Sequence, residues 1–197
     1  AKADADLTGK TDEETVAIQR AAKVMATECR AEIAETDRVG GRLDEAQRGF
    51  RDLLRDLNLQ TIRADGQAGA VQVDLFVKAR LGQAECLLAA GSIDDALRDF
   101  EQAQRTPDAP DALKYGALAG QAECLFLQGR TQDARTIFAR VSAVCTATSG
   151  NAEPRALYYL GRTARTPQEA QVYYREIIRR FPASPWTTQA REALDSQ

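Results

Sequence analysis

A six-residue string, Gly-Gln-Ala-Glu-Cys-Leu, occurs twice in this chain with an offset of 38 residues. The first copy spans 82–87 and the second spans 120–125. Each copy is followed at matching distances by a glycine, an aspartate, an alanine and a phenylalanine: Gly91, Asp95, Ala96 and Phe100, then Gly129, Asp133, Ala134 and Phe138. Self-similarity at a fixed period of this size indicates an array of stacked structural repeats. This feature constrains the fold more than any other in the sequence.

Apolar residues recur every three or four positions along most of the chain, which is the spacing of one helix face. This periodicity predicts helices at 12–39, 43–60, 71–90, 93–105, 111–128, 131–145, 155–164, 167–181 and 185–194. Loops rich in glycine or polar residues are predicted at 64–70 and 146–154. Residues 1–10 are small and polar and are predicted to form a flexible N-terminus, whereas 11–197 are predicted to form a single domain.

Two of the predicted helices begin with capping signals. Ser92 can cap the helix that follows it, and acidic residues occupy the first turn of that helix. Thr166 is followed by Pro167 and, three residues after the threonine, by Glu169. That arrangement favours a helix start, because Pro suits the first helical position and Glu can complete a capping box.

The second helix of each predicted pair carries a small residue, an aromatic residue four positions later and a small or aliphatic residue three positions after that. The four sets are Ala46, Phe50 and Leu53; Ala96, Phe100 and Ala103; Ala134, Phe138 and Val141; and Ala170, Tyr174 and Ile177. Residues four apart share one helix face. The small residue lets the partner helix approach closely, and the aromatic ring fills the space next to it. A glycine precedes three of the four alanines by five residues, at Gly41, Gly91 and Gly129.

This pattern resembles the tetratricopeptide repeat, whose first helix has a small residue at its eighth position, here Ala34, Ala84, Ala122 and Gly161. The resemblance implies an all-α fold, a right-handed α-solenoid of about four helix-turn-helix repeats at 27–60, 77–106, 115–146 and 154–182, with a capping helix at 185–196. The alanine spacings of 50, 38 and 36 depart from the family's 34, and the fourth repeat lacks the turn glycine.

A shorter stretch suggests where such a protein works. Residues 181–186, Phe-Pro-Ala-Ser-Pro-Trp, with Ala190 and Leu194 after them, are similar to repeat arrays of bacterial cell-envelope proteins. This resemblance implies a bacterial protein and favours the periplasm or cell envelope over the cytoplasm.

Several functional classes are disfavoured by composition. The net charge is −3 and the pI is near 5.2, whereas nucleic-acid binders usually carry a basic excess. No run of 18 apolar residues is present, so no transmembrane segment is predicted. The sequence contains no His, no Gly-rich phosphate loop and no Gly-x-Ser-x-Gly motif, so no enzyme activity and no cofactor are expected.

The four cysteines, Cys29, Cys86, Cys124 and Cys145, include no Cys-x-x-Cys pair. With no His to complete a ligand set, they do not predict a metal site. No basic group is placed to lower a thiol pKa, so each is interpreted as a small hydrophobic residue on an apolar helix face.

The resemblance also implies a partner-binding groove on the concave face of the array. Its candidate residues are Glu35, Lys78, Leu81, Glu85, Leu88, Glu123, Phe126, Leu127 and Arg162. Three glutamates share the ninth repeat position with Arg162, which predicts an acidic strip that ends in a basic residue and recognises a partner segment with Lys or Arg. The alternative is a solvated surface whose glutamates pair locally with Lys78, Arg80 or Arg38, and exposed pairs of this kind stabilise little.

The apolar groove candidates leave two interpretations open. They suit a helix or an extended peptide laid into the groove, or they are buried against a neighbouring helix. Aromatic residues in the C-terminal third, Tyr158, Tyr159, Tyr173, Tyr174 and Trp186, are likewise either core or a binding hot spot. The family's clamp for carboxylate tails needs Lys and Asn in the groove, so Glu85 and Leu81 disfavour that ligand.

The function implied is a non-enzymatic scaffold that binds a peptide or helix of another protein in its concave face. The alternative is a structural or assembly subunit that associates with itself or docks in a larger complex of the cell envelope. An enzymatic role would require an active site in another part of a larger protein.

Overall fold

The structure, a computed structural model, describes the backbone of residues 2–57, 67–144 and 150–196 and the side chains of 14–57, 69–144 and 150–196. All regular secondary structure within these ranges is α-helical. The helices are α1 (Lys2–Val39), α2 (Leu43–Asp56), α3 (Gln67–Ala89), α4 (Ile93–Arg105), α5 (Asp111–Leu127), α6 (Thr131–Val144), α7 (Ala152–Arg162), α8 (Pro167–Arg180) and α9 (Pro185–Asp195). The prediction of an all-α helical repeat is therefore confirmed.

Some predicted helix boundaries are wrong by several residues. Helix α1 begins at Lys2 instead of Asp12, because residues 2–11 contain no proline and include two alanines that favour helix. Similarly, α3 includes residues 67–70, which were expected to be loop. Helix α2 ends at Asp56, and Leu57 is extended. The predictions for 58–66 and 145–149 lie outside the described residues.

The chain divides into two compact units, residues 1–79 and 80–197, with the boundary inside α3. In the N-terminal unit, α1 packs on α2 through Ala34, Ala46, Phe50 and Leu53, which are all buried. In the C-terminal unit, each helix from α4 to α9 packs on the next, and α7 also contacts α5 and α9. Stacking of neighbouring pairs is what allows short amphipathic helices to bury their apolar faces.

The small and aromatic residues of the repeat form the core. Ala46, Ala96 and Ala134 are fully buried, and Phe100 and Phe138 are among the largest side chains with no exposed surface. The glycines that precede them adopt left-handed backbone conformations, with φ of 78° at Gly41, 79° at Gly91 and 80° at Gly129. A side chain would strain the turn at these positions, which explains why glycine ends the first helix of these pairs.

Two further glycines allow helices to approach closely. A Cβ atom on Gly120 would lie 2.4 Å from the ring of Phe100, and one on Gly161 would lie 2.4 Å from the ring of Tyr174. Gly120 is the first residue of the second copy of the repeated string. The string therefore marks a point where the ring of α4 packs directly on the backbone of α5.

Only one of the two predicted capping side chains acts as a cap. Thr166 is extended, with φ −134° and ψ 152°, and its hydroxyl oxygen accepts from the Glu169 N–H at 3.1 Å. The Glu169 carboxylate accepts from the Arg165 N–H and from Arg135, and these bonds lower the pKa of that carboxyl. Ser92 is the N-cap residue of α4, but its ψ of 65° leaves the hydroxyl without a cap hydrogen bond. The prediction for Ser92 is therefore wrong.

Aromatic rings fill the core between α6, α7, α8 and α9. Phe138 stacks on Tyr159 at 4.9 Å between ring centroids, and Tyr158 contacts Tyr174 and Trp186. Most of the C-terminal aromatic residues are therefore core residues. The exposed side of α9 is polar, as expected of a capping helix: Thr188, Gln189, Arg191, Glu192 and Asp195. None of the helices in the described ranges combines the length and hydropathy needed to span a membrane.

Candidate functional site

Arg155, on the first turns of α7, is a buried cation that binds side chains of two other helices. Its Nε donates to Oε2 of Glu123 on α5 at 2.6 Å, and its Nη1 donates to Oε1 of Glu85 on α3 at 2.6 Å. Only 7% of Arg155 is exposed. One buried guanidinium therefore binds two carboxylates from two other helices. We call these three residues the Arg155 network.

Helix register explains how these residues meet. The small residue at the eighth repeat position is the common reference point. Glu85 and Glu123 each come one position after it, and Arg155 comes six positions before it. The two repeat positions are seven residues apart, which places them on the same helix face. When first helices stack side by side, the cation of α7 can therefore reach the glutamates of α3 and α5.

Rings and a phenol hydroxyl complete the surroundings of the Arg155 network. The guanidinium carbon lies 5.7 Å from the Phe100 ring centroid and 5.8 Å from that of Trp186. Burial by itself would lower the pKa of Arg155, but the two carboxylates raise that pKa above its usual value. Burial, reinforced by the charge of Glu123 and a hydrogen bond to it, raises the pKa of the Tyr159 phenol. At neutral pH the arginine is charged and the phenol keeps its proton.

The predicted acidic strip therefore contains a positive charge, that of Arg155, between two of its glutamates. Glu85 and Glu123 do lie on one face, but both bind Arg155, a residue that the sequence reasoning did not consider. Lys78 and Arg155 occupy the same repeat position, six residues before a small residue. This correspondence with a candidate groove residue could have identified Arg155 from the sequence. Glu35 lies in the N-terminal unit, where its carboxylate accepts from Arg38 at 2.6 Å.

The alternative of local ion pairs therefore holds for two of the candidate residues, Glu35 and Lys78. Lys78, also in the N-terminal unit, pairs with Asp74 at 2.6 Å. Leu81 and Leu88 are half-buried and pack against the core cluster that contains Phe100, so the burial interpretation holds for them. Leu81 and Leu88 therefore provide little surface to a partner, and the exposed charge of Lys78 is paired with Asp74.

Three of the candidate residues form a more accessible surface. Arg162, on the last turn of α7, is exposed and lies over the Phe126 ring, with 5.5 Å from its guanidinium carbon to the ring centroid. The Phe126 ring is half-buried and meets Tyr159 edge-on. Leu127, the last residue of α5, is 48% exposed. The surface of Phe126, Leu127 and Arg162 is called the Arg162 surface below.

The cysteines differ in burial. Cys86 and Cys124 are fully buried, as predicted for small hydrophobic residues, and burial raises the pKa of the Cys124 thiol to about 12. Cys29 is exposed, so its predicted packing role is wrong. Cys145 lies outside the described residues. Within the described ranges, no three His, Cys, Asp or Glu residues are grouped as metal ligands would be.

A comparison with protein families supports the presence of helical repeats. A family model described as "Tetratricopeptide repeat" matches residues 87–144, from the end of α3 through α6. No curated protein and no solved structure gave a significant match.

Proposed function

Since this chain contains tetratricopeptide repeats over residues 87–144, a fold that generally mediates protein–protein interaction, we propose that it is a non-enzymatic scaffold that binds a segment of a partner protein. The segment, a peptide or a helix, lies on the face formed by the first helices of the repeats. The observation that carries this proposal is the Arg162 surface. An exposed arginine lies over the Phe126 ring, and the exposed Leu127 follows Phe126 in the chain, whereas the apolar candidates Leu81 and Leu88 are half-buried.

The Arg155 network supports the same proposal through rigidity. It connects α3, α5 and α7 by short hydrogen bonds at a buried centre. A face held in one conformation loses little conformational entropy when a partner binds, which raises affinity. The network therefore contributes to binding by fixing the helices that carry Phe126, Leu127 and Arg162.

Site-specific photocrosslinking tests the proposal. A benzoylphenylalanine at Leu127 should capture a partner in extracts of the source organism, whereas the same group at Val172 should not. Val172 is a suitable control because it is 63% exposed but lies on α8, a second helix. The captured protein is then purified, and Leu127→Ser should weaken its affinity without changing thermal stability. Equal capture at both positions, or no effect of Leu127→Ser, would reject the proposed face.

A second candidate function, self-association, is favoured by a separate observation in the N-terminal unit. Helix α1 exposes large apolar side chains, with Ile18 at 63%, Met25 at 64% and Ile33 at 62%. Exposed apolar residues in such a series are typical of protein contacts. Light scattering over a concentration series distinguishes the two functions: a mass that rises with concentration and falls in Met25→Ser would indicate assembly through α1.

A further inference from the structure

The carboxylates of the first-helix face are already bound within the protein. The side chain of Glu85 is 29% exposed and that of Glu123 is 13% exposed, and each carboxylate accepts a hydrogen bond from Arg155 in an ion pair. A partner with Lys or Arg would have to compete with a buried guanidinium that makes cation–π contacts as well. Breaking such a pair leaves a charge buried without a partner, which is costly. The glutamates therefore offer little to a basic segment.

Arg162 is an exposed positive charge on this face. Arg162 contacts the rings of Phe126 and Tyr158 and bonds weakly to the Tyr158 hydroxyl at 3.5 Å, and it meets no carboxylate among the described residues. Because a guanidinium on rings is held in place and is only weakly hydrated, it is well suited to bind a carboxylate. The side chain is positioned by aromatic contacts while its charge stays available.

A recess next to Arg162 can receive the acidic group. It has a volume of about 400 Å³ and includes Arg162, Arg165, Thr166 and Tyr174 in its walls. Both arginines are exposed, and they are three positions apart. The charge of Arg165 is partly offset by Glu169, whose carboxylate accepts from the Arg165 N–H. Arg162 therefore supplies the positive charge that attracts an anion to this rim.

On its other side, Arg162 adjoins apolar surface. The Phe126 ring lies under its guanidinium and Leu127 follows in the chain, so an apolar side chain of a partner can pack there. A partner helix that contacts both the recess and the apolar surface needs an acidic residue and a large apolar residue about one helical turn apart.

We propose that the Arg162 surface and the adjoining recess bind a partner segment in which an Asp or Glu side chain lies next to a large apolar side chain. This inference rests on the proposed function and specifies the chemistry of the partner. The charge it assigns is opposite to the one that the repeated glutamates favour from the sequence.

Designed peptides test this inference directly. Two helical peptides, acetylated and amidated, carry leucine with either Glu or Lys at matching positions, and a third carries leucine, no acidic side chain and a free C-terminal carboxylate. Calorimetric titration should show the Glu peptide binding at least tenfold more tightly than the other two, with an affinity that falls as salt is added. The fluorescence of Trp186, the single tryptophan, should change on binding because its ring contacts Tyr158.

Matched arginine variants locate the contact. Arg162→Gln should reduce the affinity for the Glu peptide about tenfold, which is the loss expected for one hydrogen bond to a charged group. Arg140→Gln, at an exposed position on α6, should leave the affinity unchanged. Preference for the Lys peptide or the free-carboxylate peptide, absence of binding by the Glu peptide at millimolar concentration, or indifference to Arg162→Gln would overturn the inference. Crosslinking from Leu127 uses the natural partner and does not depend on its charge. Capture there with no preference for the Glu peptide would reject this inference and leave the proposed function standing.

Discussion

Arg155 Nε lies 2.6 Å from Glu123 Oε2, a contact between residues 32 positions apart in the chain. Arg155 is buried on α7, and the glutamate belongs to the preceding first helix, α5. The same guanidinium reaches Glu85, 70 positions away on α3. Because three first helices meet at one cation, this contact couples their packing as well as their charge.

Removal of the cation should therefore destabilise the fold. Arg155→Met leaves two carboxylates without their partner, and we expect a loss of about 3 kcal/mol in the free energy of unfolding. Urea denaturation measures it. Adding Glu85→Gln and Glu123→Gln to Arg155→Met should recover most of the loss, because the unpaired charges are then gone. Arg98→Met, at an exposed i,i+3 pair with Asp95, is the control and should cost less than about 0.5 kcal/mol. Equal effects of Arg155→Met and Arg98→Met would contradict a stabilising network.

Two glycines of α5 should respond to alanine in opposite directions. Gly120→Ala places a Cβ 2.4 Å from the buried Phe100 ring and should cost about 1–3 kcal/mol. Among the described residues, the Cβ of Gly116→Ala meets only Leu81, at 4.0 Å, and the substitution should stabilise the helix by about 0.5–1 kcal/mol. Thermal melts of the two variants provide the comparison, and a Gly120→Ala protein as stable as the wild type would disprove the close approach.

The two N-cap residues should differ when each is changed to alanine. Thr166→Ala removes the bond that its hydroxyl accepts from the Glu169 N–H and should cost about 1 kcal/mol. Ser92→Ala removes no cap hydrogen bond, so we expect a change of only a few tenths of that value. The two costs come from chemical denaturation curves, and a larger loss for Ser92→Ala would contradict the capping geometry.

Stability should fall in alkaline solution because of Cys124. Burial raises the pKa of this thiol from 9.0 to about 12 in the folded protein. Below pH 9 both states keep the proton and the thiol has no effect on pH dependence. Between pH 9 and about 12 the unfolded state releases the proton first, so the free energy of unfolding decreases by up to about 1.4 kcal/mol per pH unit.

Cys124→Ala provides the control for the alkaline effect. Its free energy of unfolding should decline less steeply above pH 9, although Tyr159, whose pKa is also raised, keeps part of the decline at higher pH. Alkylation followed by peptide mass spectrometry gives an independent check: Cys29 should react with iodoacetamide in the native protein, and Cys124 only after denaturation. Identical pH profiles for the wild type and Cys124→Ala would refute the assignment.

The same geometry affects how groove variants should be interpreted. Lysine at Glu85 or Glu123 would place a second cation against Arg155, so any loss of binding would be mixed with loss of stability. Arg162 is exposed and makes no salt bridge within the described residues, which makes it a cleaner position for testing partner recognition.

Local patterns in the sequence were sufficient for the architecture. The spacing of Ala96 and Phe100, and of Ala134 and Phe138, predicted which residues enter the core, and the turn glycines predicted where first helices end. These predictions succeed because they depend on helix periodicity and on backbone conformation, which involve residues close together in the chain.

The tertiary structure alone determined which charges remain available. The repeated glutamates at 85 and 123 appear from the sequence to be exposed binding groups, but stacking brings Arg155 to both. Stacking also leaves Leu88 partly buried, whereas Leu127 and Arg162 remain exposed. The physical reason is that exposure and charge pairing depend on contacts between helices 30 or more residues apart, and no local pattern specifies which side chain of a later repeat will reach back to an earlier one.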